Sequence, residues 1–223
     1  MEIIECKGVD ALQRLEELRR EYLTTGNYPF IIGDQEKLRQ LQDVAEFNET
    51  KPQTALAEAL KINVPQWFQA RLKEEREYGD FDESELLGEW PTEQFAPSHI
   101  VSHLGLLTGQ ELPLVYLGLM RLEKSWQLPA FAKFGSWNAC PDPELHCALL
   151  GYWNEKYGAE IVCLSRDTIE CKVSRPPSHT ESALALAWEQ YWYCSDIVMQ
   201  GVGTVSNLAA TLLNADYWYF WWD

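Results

Sequence analysis

The chain closes on Tyr217-Trp-Tyr-Phe-Trp-Trp-Asp223, and no other stretch restricts its fold as much. Rings of this size must be covered, and along a strand successive side chains point to opposite sides. Such a strand needs either a sheet covered on both faces, or a pocket or partner surface for some of its rings. Core packing is the expected use of most of them. The composition agrees: ten Trp, ten Tyr and eight Phe among 223 residues supply the buried area of a folded protein and exclude general disorder.

The apolar runs stop short of a bilayer span. The run over 112–120 is broken by Pro113 and Gly118, whereas a spanning helix needs roughly 20 residues. Met1-Glu-Ile-Ile-Glu-Cys6 lacks the basic and apolar regions of a secretion signal, so a cytoplasmic location is expected. In that compartment Cys6, Cys140, Cys147, Cys163, Cys171 and Cys194 are expected as free, mostly buried thiols, and none forms a Cys-x-x-Cys pair. Acidic residues number 34 against 18 basic ones, a net charge of −16. Such a surface repels phosphate backbones and steers basic proteins toward it. We therefore expect a basic protein partner, no direct nucleic-acid binding and no membrane contact. No Gly-rich phosphate loop, Walker sequence or Gly-x-Ser-x-Gly elbow is present, and no cofactor is expected.

Periodicity organises the chain into two parts. Leu12, Leu15, Leu18 and Tyr22 predict a helix, Tyr28-Pro-Phe-Ile-Ile32 a strand ended by Gly33, and Asp34 a cap on a helix bearing Leu38 and Leu41. Further helices are expected over 54–60 and 65–78. The acidic stretch 74–93 holds nine Asp or Glu against one basic residue, Arg76. With Gly79, Gly88, Pro91 and Pro97 nearby, it predicts an exposed connection. This divides the chain into a helix-rich α/β region, 1–95, and an α+β domain, 96–223, with one continuous domain as the alternative.

In the second part strands are expected over 114–122 and 126–131, then a helix over 142–157 stopped by Gly158. A hairpin follows, turning at Ser165-Arg-Asp167 and placing Ile161, Cys163, Ile169, Cys171 and Val173 on one face. Ser178-His-Thr-Glu181 reads as a capping box before a helix over 183–194. Another helix over 205–213 precedes the aromatic strand, and Gly201-Val-Gly203 reads as a loop. The order suggests an α+β fold with a split β-α-β, ferredoxin-like sheet.

Several ordered motifs also resemble a known family. Gly135-Ser-Trp-Asn-Ala-Cys-Pro141, Tyr157-Gly-Ala-Glu160, Arg175-Pro-Pro177, Glu189-Gln-Tyr-Trp-Tyr-Cys-Ser-Asp196 and Trp218-Tyr-Phe-Trp-Trp-Asp223 are similar to a bacterial domain of unknown function, family 4253. Roughly the last hundred residues carry the resemblance, and the first half matches chiefly at Tyr28-Pro-Phe-Ile-Ile-Gly-Asp34. The resemblance implies membership and carries no established activity or catalytic residues.

The residues that could carry chemistry are few. His99 and His103 would share a helix face, but without the Glu of a His-Glu-x-x-His site they are read as an ordinary segment, and no metal is expected. Asn138, Cys140 and His146 offer a nucleophile and base, with Cys140 before a helix start and His146 near its exposed first turn. A structural role for Cys140 is favoured. Glu189 and Tyr193 stand four apart beside Trp188 and Trp192, and Asp196 lies about 10 Å further along a helix.

The leading expectation is a non-enzymatic interaction factor, an immunity or antitoxin-type protein that neutralises a basic toxic enzyme. Its steering region would comprise Glu74, Glu75, Glu77, Asp80, Asp82, Glu83, Glu85 and Glu89. The alternatives are an enzyme using Asn138, Cys140, His146, Glu189 and Asp196, and a small-ligand sensor using the aromatic residues as a pocket.

Overall fold

The computed structural model describes residues 1–78, 82–92, 95 and 98–223. Gly79, Asp80 and Pro97 lie outside the described residues. The first part runs β1 (Glu2–Cys6), α1 (Gly8–Thr25), β2 (Asn27–Gly33), α2 (Gln35–Phe47), α3 (Pro52–Ala59), α4 (Val64–Tyr78) and α5 (Glu83–Leu87). The second runs β3 (Val115–Arg121), α6 (Leu128–Ala132), α7 (Pro143–Tyr157), β4 (Ala159–Leu164), β5 (Thr168–Val173), α8 (Thr180–Tyr193), α9 (Val205–Leu212) and β6 (Tyr217–Trp221).

All six strands form one mixed sheet in the order β1-β3-β2-β4-β5-β6. β2 sits inside it, antiparallel to β3 and parallel to β4 through Ile31 and Cys163. The sheet therefore crosses the acidic stretch, with strands of the first 95 residues paired to strands of the rest. The α+β class holds, but the ferredoxin-like order does not form. β3 and β4 flank α7 in sequence, yet β2 separates them, and β3 runs antiparallel to β2 while β4 runs parallel to it. β6 adds to the outer side of β5.

Helices cover both faces. Leu15 and Leu18 of α1 pack with Ile31, Leu117 and Val162 on one side. On the other, α2, α7, α8 and α9 enclose a larger core that includes Phe30, Trp153, Leu186, Trp218, Phe220 and Trp222. Trp153 stacks on Phe220 with centroids 5.6 Å apart and planes within 4°. Along β6 the rings alternate: Trp218, Phe220 and Trp222 are buried, whereas Tyr217, Tyr219 and Trp221 are partly or largely exposed, so only one face of this strand is fully covered.

Local chemistry sets the ends. Asp34 caps α2 by accepting the Lys37 N–H, and Gly158 ends α7 in the left-handed region. Four readings change. Residues 126–131 form a 3-10 turn and α6 in place of a strand, because Pro129 fits a first helical turn and the Gln127 side chain accepts the Glu123 and Lys124 N–H groups. The capping box is not used, since His179 stands at the N-cap of α8 with no side-chain cap bond. A bulge between Ile161 and Cys163 turns Val162 and Cys163 together toward α1, so Cys163 leaves the face shared by Ile161, Ile169, Cys171 and Val173. Finally, the acidic connection is largely helical: Leu86 and Leu87 of α5 pack on the core, and Gly88 accepts a bond from Ser206 of α9.

Candidate functional site

The loop before α7 folds back over His146. Lys133, Gly135, Ser136 and Asn138 all take positive φ, a winding that side chains other than glycine's adopt at a cost. At Gly135 a Cβ would lie 2.0 Å from the Pro141 carbonyl oxygen, so the turn requires glycine. The Ser136 N–H donates to that carbonyl, and the Ser136 hydroxyl donates to Asp142. His146 is thereby fully buried, not exposed at a helix start, and Trp222 packs edge-on against its ring.

Both ring nitrogens of His146 have partners. Nε2 lies 3.4 Å from Cys140 Sγ, and Nδ1 lies 2.6 Å from the Tyr193 hydroxyl. Burial depresses the His146 pKa from 6.5 to about 3. Burial likewise pushes the Cys140 thiol and the Tyr193 phenol well above their ordinary ranges. The chain Cys140–His146–Tyr193 is thus neutral throughout and shielded from solvent. It can hold the loop, α7 and α8 together, whereas a nucleophile requires a thiolate in contact with substrate.

The other candidates divide. The Asn138 amide donates to the Asp223 carbonyl at 2.9 Å, and Asp196 accepts the Asp223 N–H at 3.1 Å. Asn138, Asp196 and the last residue therefore meet, close in sequence to the Cys140–His146 pair. Glu189 stands apart, because α8 ends before Asp196 and the two carboxylates do not share a helix face. Glu189 accepts from Tyr152, from the Trp153 indole at 2.9 Å and from Lys156 at 2.9 Å. Its neighbour Tyr193 turns inward to His146. Trp188 and Trp192 stack with centroids 5.8 Å apart.

His99 and His103 lie outside any helix: His99 is exposed and His103 is buried, with its pKa lowered by that burial. Among the described residues no group of three or more His, Cys, Asp or Glu is placed to hold a metal. No helix among the described residues is long and apolar enough to cross a membrane.

The acidic residues are partly engaged in local ion pairs. Glu74 and Glu75 both meet Arg71, Glu77 meets Lys73, and Glu83 meets Arg76. Asp82 caps α5 through the Ser84 and Glu85 N–H groups, while Glu85 and Glu89 are exposed.

A second place has the opposite character. Beside β6, the last strand in the sheet order, a cavity of about 260 Å³ opens between the strand, the end of α8 and α9. Its lining is mostly apolar, from Ile197, Val202, Leu208 and Leu212, with Tyr217 and Trp221 along the strand. Gln190 and Trp218 also line it, at 1% and 2% exposure. Gln190 Nε2 and Trp218 Nε1 are buried donors with no hydrogen-bond partner among the described residues.

The segment Ile197–Val202 forming one wall is a π-helical turn, closed by the Gly203 N–H donating to the Val198 carbonyl at 2.8 Å. Such turns are rare and recur at functional sites. Sequence reading took the adjoining Gly201-Val-Gly203 as a loop and did not single out Gln190. The aromatic run was the signal available, since it demanded cover or a pocket.

These features define an α+β protein with an aromatic-walled cavity at the edge of its sheet. Residues 116–223 match the model of the family described as a domain of unknown function (DUF4253). No curated protein and no solved structure matches the chain. β6, α8, α9 and the Cys140–His146–Tyr193 chain all fall within the matched residues.

Proposed function

We propose that the protein binds a small ligand in the cavity beside β6. The cavity itself, about 260 Å³ in volume, mostly apolar and flanked by the rings of Tyr217 and Trp221, carries this reading. An apolar pocket with a few convergent polar groups is the usual form of a small-molecule site. A thermal-shift screen of a small-molecule library tests the reading, with Val202→Trp as a variant that fills the cavity. Compounds that raise Tm in a dose-dependent way, and lose the effect in the filled variant, are expected. A screen in which stabilisation is equal in both proteins would sink it.

A second reading is an acidic interaction factor of the bacterial cytoplasm, of immunity or antitoxin type, that neutralises a basic toxic enzyme. The net charge of −16 and the exposed acidic residues of α5 support it. A tagged copy purified at low and high salt is expected to bring down a stoichiometric basic partner that salt weakens. Recovery of the protein alone at both salts removes this reading.

A further inference from the structure

We propose that the outer edge of β1 docks an extended, basic peptide segment of a partner protein, which pairs with β1 as a further strand. The site is independent of the cavity beside β6 and uses none of the residues of the acidic stretch 74–93.

β1 stands at the end of the sheet and pairs with β3 alone. The Leu122 N–H donates to the Gly26 carbonyl in register with the β2–β3 ladder, so even-numbered residues of β3 bond to β2 and odd-numbered ones to β1. Val115, Leu117 and Leu119 thereby engage Cys6, Ile4 and Glu2, and the peptide groups of Ile3 and Glu5 face away from the sheet. Among the described residues no hydrogen bond takes them up. The other end of the sheet differs, because the Ser98 hydroxyl accepts the Tyr217 N–H and the Cys194 thiol donates to the Trp221 carbonyl. An edge with open N–H and C=O groups is a template for one more strand.

A depression flanks this edge on each face of the sheet. On the α2 side, about 850 Å³ is lined by Ile3, Glu5, Asp34, Glu36, Arg39 and Tyr116 among others. On the α1 side, about 190 Å³ is lined by Glu5, Cys6, Asp10, Gln13, Arg14 and Glu17. Successive side chains of an added strand point to opposite faces and enter the two depressions in turn. The larger suits long side chains and the smaller suits short ones.

Charge names the occupant. Carboxylates outnumber guanidinium groups in both depressions, and Glu2, Glu5, Asp10 and Glu36 are exposed. Each Arg is already engaged, Arg39 with Asp43 at 2.8 Å and Arg14 with Glu17 at 3.0 Å. The complement is a strand bearing Lys or Arg. A second copy fits less well, since pairing two β1 edges would bring the same carboxylates together in a protein of net charge −16.

Capped peptides of about six residues test the edge: one alternates Lys and Val, one Glu and Val, and one Lys and Pro, which keeps the charge but cannot form a ladder. The Lys–Val peptide is expected to bind at least about tenfold more tightly than the other two. It should also slow amide hydrogen exchange at Ile3 and Glu5, whose N–H groups are open in the free protein. Ile3→Pro removes an outward N–H at a position where an edge strand tolerates proline, and should weaken the Lys–Val peptide about tenfold. Ile3→Val keeps the N–H and should bind as wild type does. Glu5→Gln combined with Glu36→Gln should weaken binding about threefold at low salt and less at high salt. Tm reports whether each variant is folded, and the exchange measurement on wild type decides where Ile3→Pro is not. Equal binding of the Glu–Val peptide would overturn the basic partner, and equal binding of the Lys–Pro peptide would overturn strand pairing. Lys–Val binding without protection at Ile3 and Glu5, or no binding at all, also overturns the site. A dimer in sedimentation that Ile3→Pro dissociates would put a second copy on the edge and overturn it likewise.

Discussion

His146 and Gln190 lie in the same aromatic core at 0% and 1% exposure, yet their polar atoms are treated differently. Each ring nitrogen of His146 has a partner, Cys140 on one side and Tyr193 on the other, inside a loop wound tightly around it. Gln190 Nε2 and Trp218 Nε1 have none among the described residues, and both residues line a cavity. Burial alone therefore does not mark a working residue. A satisfied buried network holds elements in place, whereas a buried donor without a partner forgoes that stabilisation.

Replacing His146 should have the largest effect on this comparison. His146→Ala removes an aromatic-sized group and leaves the Tyr193 hydroxyl unpaired, so a loss of about 3–5 kcal/mol is expected. For a chain of this size that is a fall in Tm of roughly 10 °C or more. A change below about 1 kcal/mol in urea denaturation would mean that the network is not a structural one.

The next effect depends on pH. The His146 pKa is about 3 in the folded protein against an ordinary 6.5, so between those values the unfolded chain takes up a proton that the fold refuses. Stability should fall as pH drops through that window, by up to about 1.4 kcal/mol per pH unit from this group. Glu170 acts in the opposite sense. Burial raises its pKa, so its contribution is present at low pH and lost as pH rises through the folded value. Denaturation curves between pH 7 and 4 isolate the histidine when wild type is compared with His146→Phe, in which the slope between pH 6.5 and 4 should be shallower.

Gln190→Leu should differ in sign. Removing a buried Nε2 donor that has no partner among the described residues is expected to leave the protein unchanged or to stabilise it by up to about 1 kcal/mol. Destabilisation by more than about 2 kcal/mol would put Gln190 in the same class as His146. The smallest effect on folding is expected from the surface ion pairs. Replacing Glu74, Glu75 and Glu77 together by Gln should move Tm by no more than about 2 °C, since exposed pairs contribute little. Association with a basic partner, followed by stopped flow at two salt concentrations, should still slow and lose part of its salt dependence.

Much of the scaffold is legible from periodicity. α1, α2, α7, α8, α9, the β4–β5 hairpin and the aromatic β6 each carry a local pattern that their environment does not overrule. β1 escapes because Glu2–Cys6 is a short edge strand with little of it buried. The α6 segment misleads because alternating apolar residues around Pro129 fit a short buried helix as well as a strand. Among the candidate residues, Cys140 and His146 were legible as a pair, six residues apart. Their partner Tyr193 was assigned to Glu189, because helical spacing predicts neighbours along one helix but not across two.

The sequence by itself determined that this chain folds around large rings and that successive rings of its last strand point to opposite sides. It also determined the net acidic charge and carries the match of residues 116–223 to a family model. Only the tertiary structure decided that β2 enters the sheet between β3 and β4, that His146 is enclosed, and that Gln190, Trp218 and the π-helical turn meet at one cavity. The reason is physical. Side-chain alternation and helix signals are local properties of the chain, whereas strand neighbours and unpaired buried donors depend on which distant segments compete for the same space.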